Sequence, residues 1–232
     1  MLIPVKKLII QTALFYKKYP KIFLAYTGLF IIPLFLQILY SFYITPESIA
    51  GVIIINLIVS LFSIILAISI TKRISTILNN NSQISIIIEL KQSLKFVPPV
   101  FLASLLVGLI VITGFLLFII PGIVLTIWLA FVMYAIILDN KKIIEALKYS
   151  KSLTSNRWWP VLWRIIAPLT IIIIGAGILE NGIKYLYKFL PYITNIPVNL
   201  ILMTPIMFIS ALSATASIIF MTILYHHLKR QP

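Results

Sequence analysis

The chain has 232 residues, 61% of them hydrophobic and only 10% charged, with a mean hydropathy of +1.11. A soluble domain of this size has nowhere to place so much apolar surface, whereas a lipid solvent removes the difficulty. The 19 Lys and Arg against 5 Asp and Glu give a net charge of +14, but these charges sit between long apolar runs, so anionic lipid head groups rather than nucleic acid are the expected counter-ions.

An amphipathic helix is predicted over about 3–18. Val5, Leu8, Ile9, Thr12 and Tyr16 share one face, and Lys6, Lys7, Gln11, Lys17 and Lys18 lie mostly elsewhere. Spans are predicted over about 21–43 and 49–71, joined by the turn-rich Thr45-Pro46-Glu47-Ser48. The polar loop Asn79-Asn80-Asn81-Ser82-Gln83 leads to a second amphipathic segment, about 84–97. There Ile87, Leu90, Leu94 and Val97 align, opposed by Lys91, Gln92 and Lys95.

Residues 99–138 carry no charge, and as one helix they would run roughly 60 Å, twice the hydrocarbon thickness. Pro121-Gly122 is the strong breaker, so a tight structural turn is expected there between spans at about 99–118 and 122–138. A re-entrant pair is the alternative. A third amphipathic helix is predicted over about 141–153, with Ile143, Ile144, Leu147 and Ser150 on one face and Lys141, Lys148 and Lys151 outside. Asp139 or Asn140 is suited to cap it. Asp139 and Glu145 are read as a helix cap and solvated face, or else as a docking surface.

The last spans fall at about 160–179 and 198–225. Between them, Glu180 and Lys184 stand in the favourable order for a helical pair. Tyr185, Tyr187, Phe189 and Tyr192 add interfacial aromatics, so a short helix on the outer face is expected over about 180–197. Pro205 is placed to kink the last span, or to act in packing alone. Ser210, Ser213, Thr215 and Ser217, with Gly175 and Gly177, permit close helix packing.

All of the 19 Lys and Arg except Lys184 and Lys188 fall on one side of this six-span plan. The positive-inside rule then places both termini in the cytoplasm; the membrane expected is a plasma (inner) membrane. Before each odd-numbered span a basic residue stands three positions ahead of a proline, with an aromatic between: Lys17-Lys18-Tyr19-Pro20, Lys95-Phe96-Val97-Pro98 and Arg157-Trp158-Trp159-Pro160. Proline suits the first turn of a helix, aromatics prefer the head-group region, and Lys or Arg reaches phosphates. The recurrence is an internal repeat, or else only the shared chemistry of an inner interface. The predicted fold class is all-α: one integral membrane domain, 1–232, with six transmembrane helices arranged as three hairpins, each preceded by a cytoplasmic amphipathic interfacial helix.

The lipid-interface candidates are Lys17, Lys18, Lys95, Arg157, Trp158, Trp159 and Arg164. Arg164 lies about one turn inside the fifth span, where it either meets a lipid phosphate or polar cavity, or snorkels to the interface beside Trp163. Cysteine is absent, which removes disulfides, thiol nucleophiles and thiolate metal sites. His226 and His227 are adjacent and would point roughly 100° apart on a helix, poor geometry for one metal; a solvated tail is expected. No catalytic residue, metal or cofactor site is expected. The first residues lack a cleavage pattern, so the N-terminus is expected to be retained.

Residues 116–160 run Leu116-Leu117-Phe118-Ile119-Ile120-Pro121-Gly122-Ile123, an apolar stretch to Asp139, then Glu145-Ala146-Leu147, Ser150, Leu153-Thr154 and Arg157-Trp158-Trp159. This resembles the membrane domain of bacterial glycerophosphoryl diester phosphodiesterases and the related YciC-like inner-membrane proteins. Those share the Pro-Gly turn, an acid closing the next span, an Ala-Leu-x-x-Ser helix and an aromatic approach to the following span. Many relatives carry a basic residue after Pro-Gly; this chain has Trp128 and no charge there. The resemblance implies no phosphodiesterase activity, because in that family catalysis belongs to a separate soluble barrel. The expected function is that of a non-catalytic membrane protein engaging anionic lipid: a scaffold, regulator or envelope-homeostasis factor, with a membrane-protein partner or a second copy as further contacts. A small permease or lipid transporter with a cavity between the hairpins is the alternative.

Overall fold

The computed structural model describes residues 3–43, 49–79, 85–187 and 196–230. The expected connector at 45–48, most of the Asn-rich loop and the aromatics beyond Tyr187 lie outside them. All regular structure among the described residues is helical. In chain order the helices are α1 (Val5–Lys18), α2 (Pro20–Tyr43), α3 (Ile49–Leu78), α4 (Ile86–Leu94), α5 (Val97–Leu117), α6 (Ile119–Leu129), α7 (Val132–Asp139), α8 (Ile143–Thr154), α9 (Trp158–Tyr187) and α10 (Ile196–Lys229). Six helical stretches are long and apolar enough to cross a membrane, in the order expected. The three prolines of the recurring motif each stand in a first helical turn: Pro20 opens α2, Pro98 is second in α5 and Pro160 third in α9.

α2 packs on α3, α5 on α6, and α9 on α10. α10 also packs against α1, α2 and α3. Met207, Ala211, Thr215, Ile219 and Ile223, spaced four apart, form its buried stripe. Toward its C-terminus the helix becomes buried nearly all round, through Phe220, Leu224, Tyr225 and Leu228. The core gathers at this end, where Leu8, Phe23, Tyr26, Ile74, Phe131 and Val161 join it. At the α5–α6 reversal, by contrast, Leu116 and Phe118 are 82% and 73% exposed. An apolar surface of that kind requires a lipid surrounding.

The reversal falls at Phe118, not at Pro121-Gly122. Phe118 is extended (φ −162°, ψ 156°), and Pro121 already stands in the first turn of α6, where its missing N–H leaves no bond unmade. Gly122 has a packing role. A Cβ there would meet the Phe115 ring at 2.5 Å, and one at Gly114 would come within 3.1 Å of the Gly122 Cα. The two glycines allow α5 and α6 to approach closely.

The stretch from Ile119 to Asp139 is two helices, broken at Ala130 and Phe131. The break leaves the Trp128 carbonyl and the Phe131 N–H without helical partners. Ser150 of α8 satisfies both: its Oγ donates to Trp128 O at 2.6 Å and accepts from Phe131 N at 3.1 Å. Fully buried, this hydroxyl holds the broken span and α8 together. Ser150→Ala should therefore destabilise the folded protein by about 1–3 kcal/mol, the cost of leaving buried polar groups unpaired. Thermal or SDS-induced unfolding in detergent measures it.

Candidate functional site

The short helices α1, α4 and α8 gather with the C-terminal turns of α3, α7 and α10 at one end of the bundle. Their inward faces carry polar side chains. α1 keeps its expected face, burying Leu8 and Thr12. Its Tyr16 hydroxyl lies 2.6 Å from Thr215 Oγ1 and donates to Leu212 O at 3.2 Å. Burial pushes that hydroxyl up to about 12, so it stays a neutral donor. α8 turns Ala146, Ser150, Leu153 and Thr154 inward, whereas Ile144, expected on the same face, is 57% exposed.

α4 departs most from expectation. Ile87 and Leu94 are 67% and 53% exposed, while Glu89 and Ser93 are the buried residues. The physical cause is an ion pair. Glu89 Oε2 lies 2.9 Å from Arg73 Nε of α3, and each side chain is only 3% exposed. The same oxygen accepts from the Tyr26 hydroxyl at 2.7 Å, and Tyr26 Oη lies 2.8 Å from Ser69 Oγ. Burial pushes the Glu89 carboxyl above the ordinary glutamate range, opposed by the Tyr26 hydrogen bond and the Arg73 charge. Four side chains thus tie α2, α3 and α4 together. Sequence reasoning read Arg73 only as one more basic residue. The available signal was Glu89 itself, one of only 5 acids in the chain, set on the polar side of a basic helix.

A second knot joins α7 to α10. Tyr225 Oη donates to Asp139 Oδ2 at 2.6 Å, and Lys229 Nζ reaches Oδ1 at 2.6 Å. Asp139 is therefore no cap for α8, whose N-cap is Lys142 with no side-chain bond; Asn140 instead ends α7 in the left-handed region at φ 51°. Glu145 is exposed in the first turn of α8, where a negative charge suits the helix dipole. The histidines are not a solvated tail. His226 Nε2 is 3.1 Å from Ser75 Oγ and His227 Nε2 is 3.2 Å from Gln11 Oε1, so they fasten α10 to α3 and α1.

The interface candidates divide. Lys17, Lys18, Lys95 and Trp159 are exposed. Lys95 and Lys72 both approach the buried Phe96 ring, at 4.9 and 5.0 Å. Trp158 packs against the core, and Trp159 stands edge-on to it and to the exposed Trp163. Arg157 lies in the single 3-10 turn before α9. Arg164 does not snorkel freely: its Nε donates to Ile3 O and its Nη1 to Pro160 O, both at 2.7 Å, pinning the start of α1 to α9. At the other end, Glu180 forms no ion pair with Lys184 among the described residues and instead accepts from Ser210 Oγ at 2.7 Å. The expected separate outer helix is the continuation of α9 to Tyr187. Among the described residues no three of His, Asp or Glu converge as metal ligands.

The sequence from 35 to 228 matches the family described as a domain of unknown function (DUF7847). The chain belongs to this family. No curated protein and no solved structure matches it. The DUF7847 region contains Arg73, Glu89, Asp139, Ser150 and Tyr225, so both acid knots and the bridged break lie inside it apart from Tyr26 and Lys229.

The Arg73–Glu89 pair gives a stability test. Arg73→Met alone should cost about 3–5 kcal/mol, because it leaves a buried carboxyl without its cation. The double variant Arg73→Met/Glu89→Leu should lose much less than the sum of the two single changes, read as a double-mutant cycle in detergent unfolding.

Proposed function

We propose that the chain is a non-catalytic integral protein of the plasma (inner) membrane whose basic end engages anionic lipid, serving as a scaffold, regulator or envelope-homeostasis factor. In this reading the six spans form three hairpins within a single domain, and α1, α4 and α8 lie at the cytoplasmic interface with both termini on that side.

One observation carries it: exposed apolar side chains alternate with exposed cations around one end of the bundle. Ile87, Leu94, Ile144, Trp159 and Trp163 are all more than half exposed. Lys91, Lys95, Lys148 and Lys151 are exposed on the same elements or beside them. Apolar groups seated among acyl chains with ammonium groups at the phosphates are the pattern of an interfacial surface. The paired acids favour a structural over a catalytic role, since Glu89 and Asp139 are each held by fixed partners on other helices. The resemblance of 116–160 to the phosphodiesterase-associated membrane domain agrees with this reading without assigning an activity. The crevices described between α1 and α10 and between α2 and α10 measure about 320 and 300 Å³. That is the low end for small-molecule pockets of about 300–1,000 Å³.

Two experiments test the reading. The absence of cysteine makes single-cysteine variants clean probes. Lys148→Cys should react with an impermeant maleimide only when the cytoplasmic face is exposed, and Tyr185→Cys only from outside; reversed labelling would sink the proposed sidedness. For lipid engagement, native mass spectrometry of the purified protein should show retained dioleoylphosphatidylglycerol in preference to dioleoylphosphatidylcholine. Equal retention would count against a role for the basic end.

A further inference from the structure

We propose that the crevice between α1, the last turn of α3 and the C-terminal turns of α10 is a discrete site for the phosphate of an anionic phospholipid. This rests on the lipid-engaging reading above and names the place where one lipid is held, rather than a diffuse basic surface.

The crevice has a volume of about 320 Å³. Lys18 and Arg230 bring fixed positive charge to its lining, and His226 and His227 add ring nitrogens. Among the described residues no carboxylate lines it. The remaining wall is apolar, with Phe15 and Leu78 among its side chains. A phosphate beside Lys18 and Arg230 would gain charge-assisted hydrogen bonds, with Arg able to offer two parallel N–H groups. A water-soluble phosphate compound would leave the apolar wall unused, whereas an amphiphile covers it with its first methylenes. The volume suits a head group and the adjoining part of a chain, with the rest of the lipid remaining in the bilayer.

The histidines give the site its shape. With Gln11 Oε1 as acceptor, His227 Nε2 carries a proton, so the ring is held between α1 and α10. His226 is held against Ser75 of α3. The walls therefore come from three helices that are far apart in sequence. Lys18 and Arg230 are both exposed and absent from the two acid knots, so removing their charge leaves the fold intact.

The test titrates the purified full chain in dodecylmaltoside with dioleoylphosphatidylglycerol, dioleoylphosphatidylcholine or inorganic phosphate, read by native mass spectrometry and by the shift in melting temperature. Phosphatidylglycerol should bind and raise the melting temperature, and the other two should not. Lys18→Gln/Arg230→Gln should weaken phosphatidylglycerol binding at least about tenfold, the loss expected for two charge-assisted contacts. Lys6→Gln/Lys142→Gln, which removes the same charge from exposed positions outside the crevice, should leave binding unchanged; far-ultraviolet circular dichroism checks that both variants fold. Equal weakening by the two pairs would overturn the discrete site while leaving general engagement of anionic lipid standing. Inorganic phosphate protecting as well as the lipid would overturn the lipid assignment. Failure of phosphatidylglycerol to bind the unmodified chain would overturn both readings.

Discussion

Hydrocarbon offers no hydrogen bonds, so every polar group that a membrane helix brings with it must find its partner inside the chain. This constraint governs the way the bundle is assembled. Ser150 completes the hydrogen bonding of a span that breaks at Phe131. Glu89 turns inward because Arg73 and Tyr26 are there to receive it. Asp139 closes the end of α7 by engaging Tyr225 and Lys229. Arg164 takes the Ile3 carbonyl, 161 residues away. Each such pair specifies which helices meet, and apolar packing alone would leave that choice open, since lipid tails are as apolar as the side chains they touch.

The same constraint explains why the two ends of the molecule differ. At the basic end, three short helices cover the ends of the spans and bring polar side chains that can be paired, and the core closes around Tyr225, Phe131 and Phe23. Aromatic rings also receive cations there, with Lys151 4.5 Å from the Trp128 ring and Lys141 4.4 Å from Tyr149. At the α5–α6 reversal there is almost nothing to pair, and the chain presents bare apolar side chains. A protein whose short basic helices pack tightly at one end, while its α5–α6 reversal is bare and apolar, suits a position across an interface. The proposed lipid site falls on the tight end, where rigid walls can hold a head group in place.

Several elements were legible because they depend on one residue at a time. Span existence follows from runs of apolar residues, and the helix starts follow from Pro20, Pro98 and Pro160. The face of α1 was also readable, because Leu8 and Thr12 point into the bundle as their spacing suggests. The face of α4 was not. The periodic apolar residues Ile87 and Leu94 mark a face that avoids water, and in a membrane protein that face is served equally by lipid or by core. The reversal near Pro121-Gly122 was placed three residues late, because proline begins a helix as readily as it ends one. The histidines were read as a tail because nothing in their local pattern shows that Gln11 and Ser75 arrive beside them.

By itself the sequence determined the solvent of this protein, the number of apolar stretches long enough to span it, and the uneven distribution of its charge. Those properties follow from composition and from periodicity along one chain direction. Only the tertiary structure decided which polar groups are partners: Arg73 with Glu89, Asp139 with Lys229, and Ser150 with the break at Phe131. It also decided that Lys18 and Arg230, near opposite ends of the chain, line one crevice. The reason is that a hydrogen bond or ion pair depends on where two helices touch. In lipid that is set by mutual satisfaction of rare polar groups, which no count or period along the chain encodes.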